Sequence, residues 1–215
     1  MNPPNPNRII RYSAGTRINH WIVAISFVLL ALSGLALFHP ALFWLTNLFG
    51  GGPWTRILHP FIGCVMAAAF YLLCVKFWRD NYLQPRDWIW LRKINDVIGN
   101  REENLPDVGR YNGGQKLLFW GFFFCGILLF LSGLVLWFPH WIPWNLRFLR
   151  LLAVIVHPAT ALITIGLFII HVYMGTAMER GAFGSVIRGD ISAKWAQRYH
   201  GVWYEEITRD SANRK

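Results

Sequence analysis

Charge is scarce in this chain: 15% of its 215 residues are charged, and only 11 of them are carboxylates, against 21 Lys and Arg. So little charge excludes an intrinsically disordered chain, which depends on charge for its solvation. With 54% hydrophobic and 16% aromatic residues and a mean hydropathy of +0.33, the composition also excludes an ordinary soluble enzyme of this length. Cysteine is nearly absent. Cys64, Cys74 and Cys125 lie in apolar runs and form no Cys-x-x-Cys, so a zinc knuckle, an iron–sulfur site and a covalent c-type haem are not indicated. They read as small core residues.

What the chain does have is long apolar runs. Crossing about 30 Å of hydrocarbon takes about 20 helical residues, and four uncharged runs are near or beyond that length, at about 21–38, 57–75, 117–144 and 151–178. They predict an all-α integral membrane four-helix bundle, with helices at about 17–38, 57–77, 115–138 and 151–178 in a single embedded domain, 1–215. The first run ends in Phe38-His39-Pro40 with no small-residue cleavage pattern, so it is expected to be retained and not removed as a signal peptide.

The surplus of Lys and Arg follows the connections between these runs. Eighteen of the 21 fall in the N-terminal segment, the central loop and the tail, and three in the other two loops. The positive-inside rule then places both termini and the loop 79–114 in the cytoplasm, and nucleic acid drops out as a partner. The two outer loops are short and rich in Trp, Phe, Pro and Gly, as interfacial caps are. In the central loop, Asp87 to Gly99 carries an N-cap candidate, apolar residues near helical spacing and a closing glycine, and reads as a short helix on the membrane surface.

None of the four runs contains Asp or Glu, which excludes a proton pump or ion carrier built on intramembrane carboxylates. Histidine remains. His157 and His171 are fourteen residues apart on the last run, which means nearly one helix face and about 21 Å of separation. Depth pairs His20 with His171 on the inner side and His59 with His157 on the outer side. Two bis-imidazole iron centres stacked across a bilayer need this arrangement, since filling both axial positions gives an electron-transfer haem. Gly34, Gly63 and Ala67 to Ala69 are small enough to let a flat macrocycle lie between helices, although close helix packing explains each of them singly. His39 and His140 sit in outer turns and His200 in a polar tail, where headgroup contact is the expected role. His39 with His140 is a competing outer pair.

Before the third run stands Arg110-Tyr-Asn-Gly-Gly-Gln-Lys116. It reads equally as an ordinary turn and cap, and as a polar rim of Asn112, Gln115 and the exposed amides of Gly113 and Gly114 able to hydrogen-bond a quinone.

Several strings together resemble a known family: Arg17-Ile-Asn-His20-Trp21, Arg56-Ile-Leu-His59-Pro60, Asp107-Val-Gly-Arg-Tyr-Asn112 with Gly114-Gln115-Lys116, His171-Val-Tyr-Met, and Lys194-Trp-Ala-Gln-Arg-Tyr-His200. Over about residues 8–207 the chain resembles the cytochrome b, or gamma, subunit of membrane-bound respiratory formate dehydrogenase. The resemblance implies a transmembrane di-haem cytochrome b with two haem b, His59 and His157 holding the periplasmic one and His20 and His171 the cytoplasmic one. It further implies a menaquinone site near the inner haem, drawing on His171, Asn112, Gly114 and Gln115, with ubiquinone the other candidate. The implied partners are a periplasmic molybdopterin catalytic subunit and an iron–sulfur subunit, besides quinone and membrane lipid. The chain departs from the family pattern at Pro158, expected in the first turn of its helix, and at His200-Gly-Val-Trp203, where the family has His-Pro-Arg-Trp. A cytochrome b subunit of a nickel–iron hydrogenase or of another molybdenum oxidoreductase is the nearest alternative. A haem-free anchor or a metal transporter is the alternative of another class.

Overall fold

Hydrocarbon offers a backbone no hydrogen bonds, so a span must satisfy its amides internally, and the uncharged runs do so as helices. The computed structural model describes residues 7–99, 101, 104–179 and 181–213. In order it contains β1 (Arg8–Ile10), α1 (Ala14–Phe38), a 3-10 helix (Pro40–Phe49), α2 (Gly52–Phe77), α3 (Pro85–Arg92), α4 (Ile94–Ile98), α5 (Gly113–Trp137), α6 (Phe148–Tyr173), a π turn (Met174–Met178), α7 (Phe183–Ile187), β2 (Asp190–Ser192), α8 (Ala193–Tyr199) and α9 (Gly201–Asn213). Residues 1–6 of the expected domain and three cations of its tail, Arg180, Arg214 and Lys215, lie outside the described residues. Among the described residues four helices are long and apolar enough to cross a membrane, and large apolar side chains such as Ile25, Leu72, Phe124 and Ile163 stay exposed along them. The chain is an integral membrane protein. The chain divides into two compact units.

The first unit, Ile18–Val75 with Gly121–Ile169, holds the middles of the four long helices. Asn19 Nδ2 donates to Ala69 O at 2.9 Å, joining α1 to α2. Phe61 meets Trp137 at 5.2 Å between ring centroids, joining α2 to α5. Gly121 of α5 lies under Leu167 of α6, where a Cβ would come within 3.1 Å of Cδ1. Phe27 and Phe168 close the circuit from α1 to α6 at 4.7 Å. The neighbours therefore run α1–α2–α5–α6 around the bundle, which leaves α2 and α6 on a diagonal.

Two details of this unit differ from the sequence expectation. Pro158 lies well inside α6 and not in its first turn, and Pro60 is likewise inside α2. Each removes an N–H from the helix ladder and frees the carbonyl four residues earlier. Gly63, read as space for a macrocycle, faces Leu30, with 3.9 Å between that Cδ2 and an added Cβ, so it serves the packing of α1 on α2.

The second unit comprises Met1–Arg17, Lys76–Trp120 and Ile170–Lys215. Here the all-helical expectation meets a small exception. Strands β1 and β2 pair antiparallel with Ile9 opposite Ile191, and Arg8 forms an ion pair with Asp190. Gly189 makes the turn into β2: its φ of 94° is in the left-handed region, and its carbonyl accepts from Arg11 N and Tyr12 N at 2.8 and 3.0 Å. An added Cβ would sit 2.7 Å from Tyr12 O, so both backbone conformation and space require glycine. The surface helix expected over 87–99 is two short helices, α3 and α4. Gln84 occupies the N-cap of α3, while Asp87 at the third position accepts from Gln84 N at 2.7 Å.

Behind the ribbon, Ile191, Trp195, Ala196 and Trp203 form a buried cluster. The Arg11 guanidinium lies 5.1 Å from the ring centroids of both Trp195 and Trp203. His200 belongs to this core and is fully buried, not a headgroup contact in a polar tail. Its Nδ1 donates to Gly109 O at 2.8 Å, and Nε2 lies 3.4 Å from Arg11 Nη2 and accepts from it. Burial first, and the neighbouring Arg11 charge second, push the imidazole down to about 3. A folded-state value below the unfolded one, near 6.5, means that the stability it contributes is complete above about pH 6.5 and is lost as pH falls toward 3. The slope approaches ~1.4 kcal/mol per pH unit. The tail is therefore expected to loosen between pH 6.5 and 4.5, above the range where ordinary carboxylates protonate. Hydrogen exchange of residues 191–204 reads this, and in a His200→Gln protein the pH dependence should flatten.

Candidate functional site

A half-buried imidazole in a membrane helix needs a partner for each nitrogen. On the diagonal of the first unit, α2 and α6 bring the His59 and His157 rings to 6.2 Å between centroids, with 71° between their planes. Each is met by a serine from the adjacent helix. Ser33 Oγ of α1 lies 2.7 Å from His59 Nδ1, and Ser132 Oγ of α5 lies 3.0 Å from His157 Nδ1. The serine protons are already committed. Ser33 donates to Leu29 O at 2.8 Å and Ser132 to Leu128 O at 2.5 Å. Each Oγ must therefore accept, so Nδ1 carries the imidazole proton and Nε2 the lone pair. Two lone-pair nitrogens cannot hydrogen-bond each other.

The pair suits haem iron. Two metal–imidazole bonds of about 2 Å, each with its ring centroid about 1 Å further out, set centroids roughly 6 Å apart. The twist about the N–Fe–N axis stays open, so the 71° plane angle is compatible. Among the described residues no three His, Cys, Asp or Glu side chains are grouped to hold a bare metal ion. Haem brings four nitrogens of its own and asks for two axial ligands. Glycine keeps space beside both rings: an added Cβ at Gly34 would lie 3.4 Å from His59 Cε1, and one at Gly133 3.3 Å from His157 Cε1. Gly133 and the two serines do not stand out singly in the sequence. The signal was an internal repeat, Leu29-Leu-Ala-Leu-Ser-Gly-Leu-Ala-Leu37 against Leu128-Leu-Phe-Leu-Ser-Gly-Leu-Val-Leu136, each followed in the next helix by His-Pro.

The competing outer histidines are otherwise engaged. His39 caps the 3-10 helix, with Nδ1 accepting from Ala41 N at 3.2 Å. His140 packs edge-on against Phe138 and Trp141. His20, in the second turn of α1, meets Trp21 edge-on at 6.0 Å. It belongs to the first unit, and His171, in the last turn of α6, to the second.

In the second unit the turn before α5 is a reciprocal cap. Gln115 N donates to Asn112 Oδ1 at 2.9 Å and Asn112 N to Gln115 Oε1 at 3.1 Å, which satisfies two amides at the helix start. The remaining amide protons go to Glu179: Asn112 Nδ2 at 3.0 Å and Gln115 Nε2 at 3.2 Å. Gly113 is buried, with an added Cβ 2.7 Å from Asp87 O, and Gly114 lies under the Trp90 ring at 2.9 Å. These two glycines thus seat the helix start against α3. A cavity of about 290 Å³ opens beside the cap, lined by Trp90, Asn112, Met174, Met178, Glu179 and Tyr199 among others. Asn112 reaches its wall directly; Gln115 touches Glu179, which lines it, and His171 stands three residues before Met174. The π turn puts Met174 and Met178 on the wall, a local widening that often marks functional positions.

Among the described residues, four membrane-length helices with a half-buried histidine pair between them define a transmembrane cytochrome b. The chain belongs to the family described as prokaryotic cytochrome b561, whose profile matches residues 11–189. It is a homologue of formate dehydrogenase cytochrome b556 subunits. It is 35% identical over 202 residues to the cytochrome b556(fdo) subunit of formate dehydrogenase from Escherichia coli (strain K12), covering 94% of each chain. It is also 35% identical over 207 residues to the nitrate-inducible cytochrome b556(Fdn) subunit of the same strain, covering 96% of this chain and 95% of that one. The cytochrome b556 subunit of formate dehydrogenase from Haemophilus influenzae is 32% identical over 205 residues, covering 94% of this chain and 84% of that one.

Proposed function

We propose that the chain is the di-haem b membrane subunit of a formate dehydrogenase. It receives electrons from a periplasmic molybdopterin subunit that oxidises formate, by way of an iron–sulfur subunit, and reduces menaquinone or ubiquinone near the cytoplasmic face. The single observation that carries the reading is the His59–His157 pair at 6.2 Å, with both Nδ1 atoms engaged by serine. Formate rather than hydrogen as the partner's substrate is supported by relatives over nearly the whole chain that are subunits of formate dehydrogenase. In this reading His59 and His157 hold the outer haem and His20 and His171 the inner one, within one embedded domain, 1–215. Both termini are cytoplasmic in the bacterial inner membrane.

Bound haem b supplies a one-electron carrier on each side of the membrane. The chain's own residues do the rest. The apolar spans exclude water and carry no carboxylate through the membrane, so charge crosses as electrons, at about 2.3 kcal/mol per 100 mV against a potential negative inside. At the inner side, Asn112, Gly114, Gln115 and His171 border the quinone. Asp107 and Glu179, both on the cavity wall, are carboxylates able to exchange the protons that a quinone takes up on reduction.

Two substitutions in the assembled complex test this. Asn112→Ala should raise the apparent quinone KM about tenfold, the equivalent of one lost hydrogen bond of ~1.4 kcal/mol, and leave the haem content alone. His171→Ala should lose the inner haem and quinone reduction together. Quinone reduction that survives in a His171→Ala protein lacking the inner haem would falsify the route.

A further inference from the structure

The two helical pairs carry the same polar arrangement twice. In α1–α2 it is Ser33-Gly34 against His59-Pro60, and in α5–α6 it is Ser132-Gly133 against His157-Pro158. Ser33 is fully buried and Ser132 nearly so. A buried serine in an apolar helix usually satisfies itself by bonding back to the carbonyl four residues earlier, and both do. That bond uses the only proton the hydroxyl has. What remains is an acceptor, and both acceptors lie within hydrogen-bond distance of a histidine Nδ1.

We propose that Ser33 and Ser132 are positioning residues for the outer haem. Each takes the Nδ1 proton of its histidine, fixes the tautomer that leaves Nε2 as ligand, and raises the electron donation of that imidazole to iron. The proposal rests on the reading of His59 and His157 as axial ligands. Groups that hold the far nitrogen of a metal-bound histidine orient it and increase its basicity, and their removal commonly costs ten- to a hundredfold in metal affinity. Greater basicity favours the ferric state, so both serines act to keep the outer centre low in potential. Gly34 and Gly133 complete the arrangement, since a methyl at either position would press on the ring that the preceding serine holds.

The test uses the full-length chain purified from membranes in detergent, with a pyridine haemochrome count and a redox titration on each variant. Ser33→Ala and Ser132→Ala should each retain two haems per chain while one of the two redox waves moves to higher potential. A tenfold change in the ferric-to-ferrous preference is about 59 mV for a one-electron couple. Ser33→Thr and Ser132→Thr keep the hydroxyl and should return that wave toward its original position, a rescue that a purely steric role would not produce. Haem lost in the alanine variant and kept in the threonine one supports the same assignment through affinity.

Unchanged potentials in both alanine variants overturn the proposal. So does loss of haem in the alanine and threonine variants alike while the chain inserts normally, because the hydroxyl is then not what matters. Failure of the underlying ligand assignment has its own signature: His59→Ala and His157→Ala chains that still carry two haems.

Discussion

His59→Ala and His157→Ala chains should each carry one haem where the unaltered chain carries two. Under the proposed ligand assignment the unaltered rings already stand 6.2 Å apart, and the serine contacts assign the proton to Nδ1 on both. Removing either ring leaves a single axial imidazole at a site whose surroundings are apolar helix. Nothing among the contacts made by Ser33, Gly34, Ser132 or Gly133 offers a replacement nitrogen. Pyridine haemochrome content reads the loss directly, and the remaining haem should show one redox wave. The same count on His39→Ala and His140→Ala should stay at two. His39 spends its Nδ1 on Ala41 N, so its loss costs a helix cap, ~1 kcal/mol at most positions, and no cofactor. Two haems in His59→Ala together with one in His39→Ala would transfer the outer site to the competing pair.

The four spans were legible because length and hydrophobicity are local properties that the hydrocarbon thickness converts directly into helices. The pairing of His59 with His157 was legible from depth, a one-dimensional coordinate that hydropathy supplies. What joins residues far apart in sequence was not. His200 reads as a polar-tail residue until β2 pairs with β1, about 180 positions earlier, and brings Arg11 and Gly109 onto the imidazole. Asn112 and Gln115 were recognisable as a cap, since Asn and Gln three apart ahead of an apolar run announce one. That their free amides end on Glu179 depends on a chain reversal 67 residues further on. The sequence alone suggests a helix start at Pro158, because proline is common in a first turn. It lies inside α6 because the helix begins at Phe148, before the run becomes free of charge, and includes Arg150. The serines were visible all along as a repeated Leu-Ser-Gly-Leu string, and only the hydrogen-bond accounting turns that string into a function.

The largest stability loss in the second unit is expected from Lys116→Met. Lys116 opens the second turn of α5 and is almost wholly buried, with Nζ donating to Asp87 Oδ2 at 2.7 Å and to Tyr82 O at 3.0 Å. Asp87 is completely buried at the start of α3, and its Oδ2 also accepts from Gln84 N. Its Oδ1 has no hydrogen-bond partner among the described residues. Without Lys116 the carboxylate is left in a dry site with a single backbone donor. Breaking a buried pair on one side costs about 3–5 kcal/mol, far more than a surface ion pair contributes. Replacing both members should cost less, because the double variant Asp87→Leu with Lys116→Met buries no unpaired charge. It should lose little beyond the bond that Asp87 makes at the start of α3, of order 1 kcal/mol. Denaturant titration followed by hydrogen exchange over residues 82–116 separates the two cases, and a double variant less stable than the single would contradict the argument. The consequence reaches the cavity, since Gly113 and Gly114 sit against Asp87 O and the Trp90 ring. A loosened α3 therefore unseats the cap from which Asn112 and Gln115 reach Glu179, and the Lys116→Met complex should bind quinone more weakly while keeping both haems.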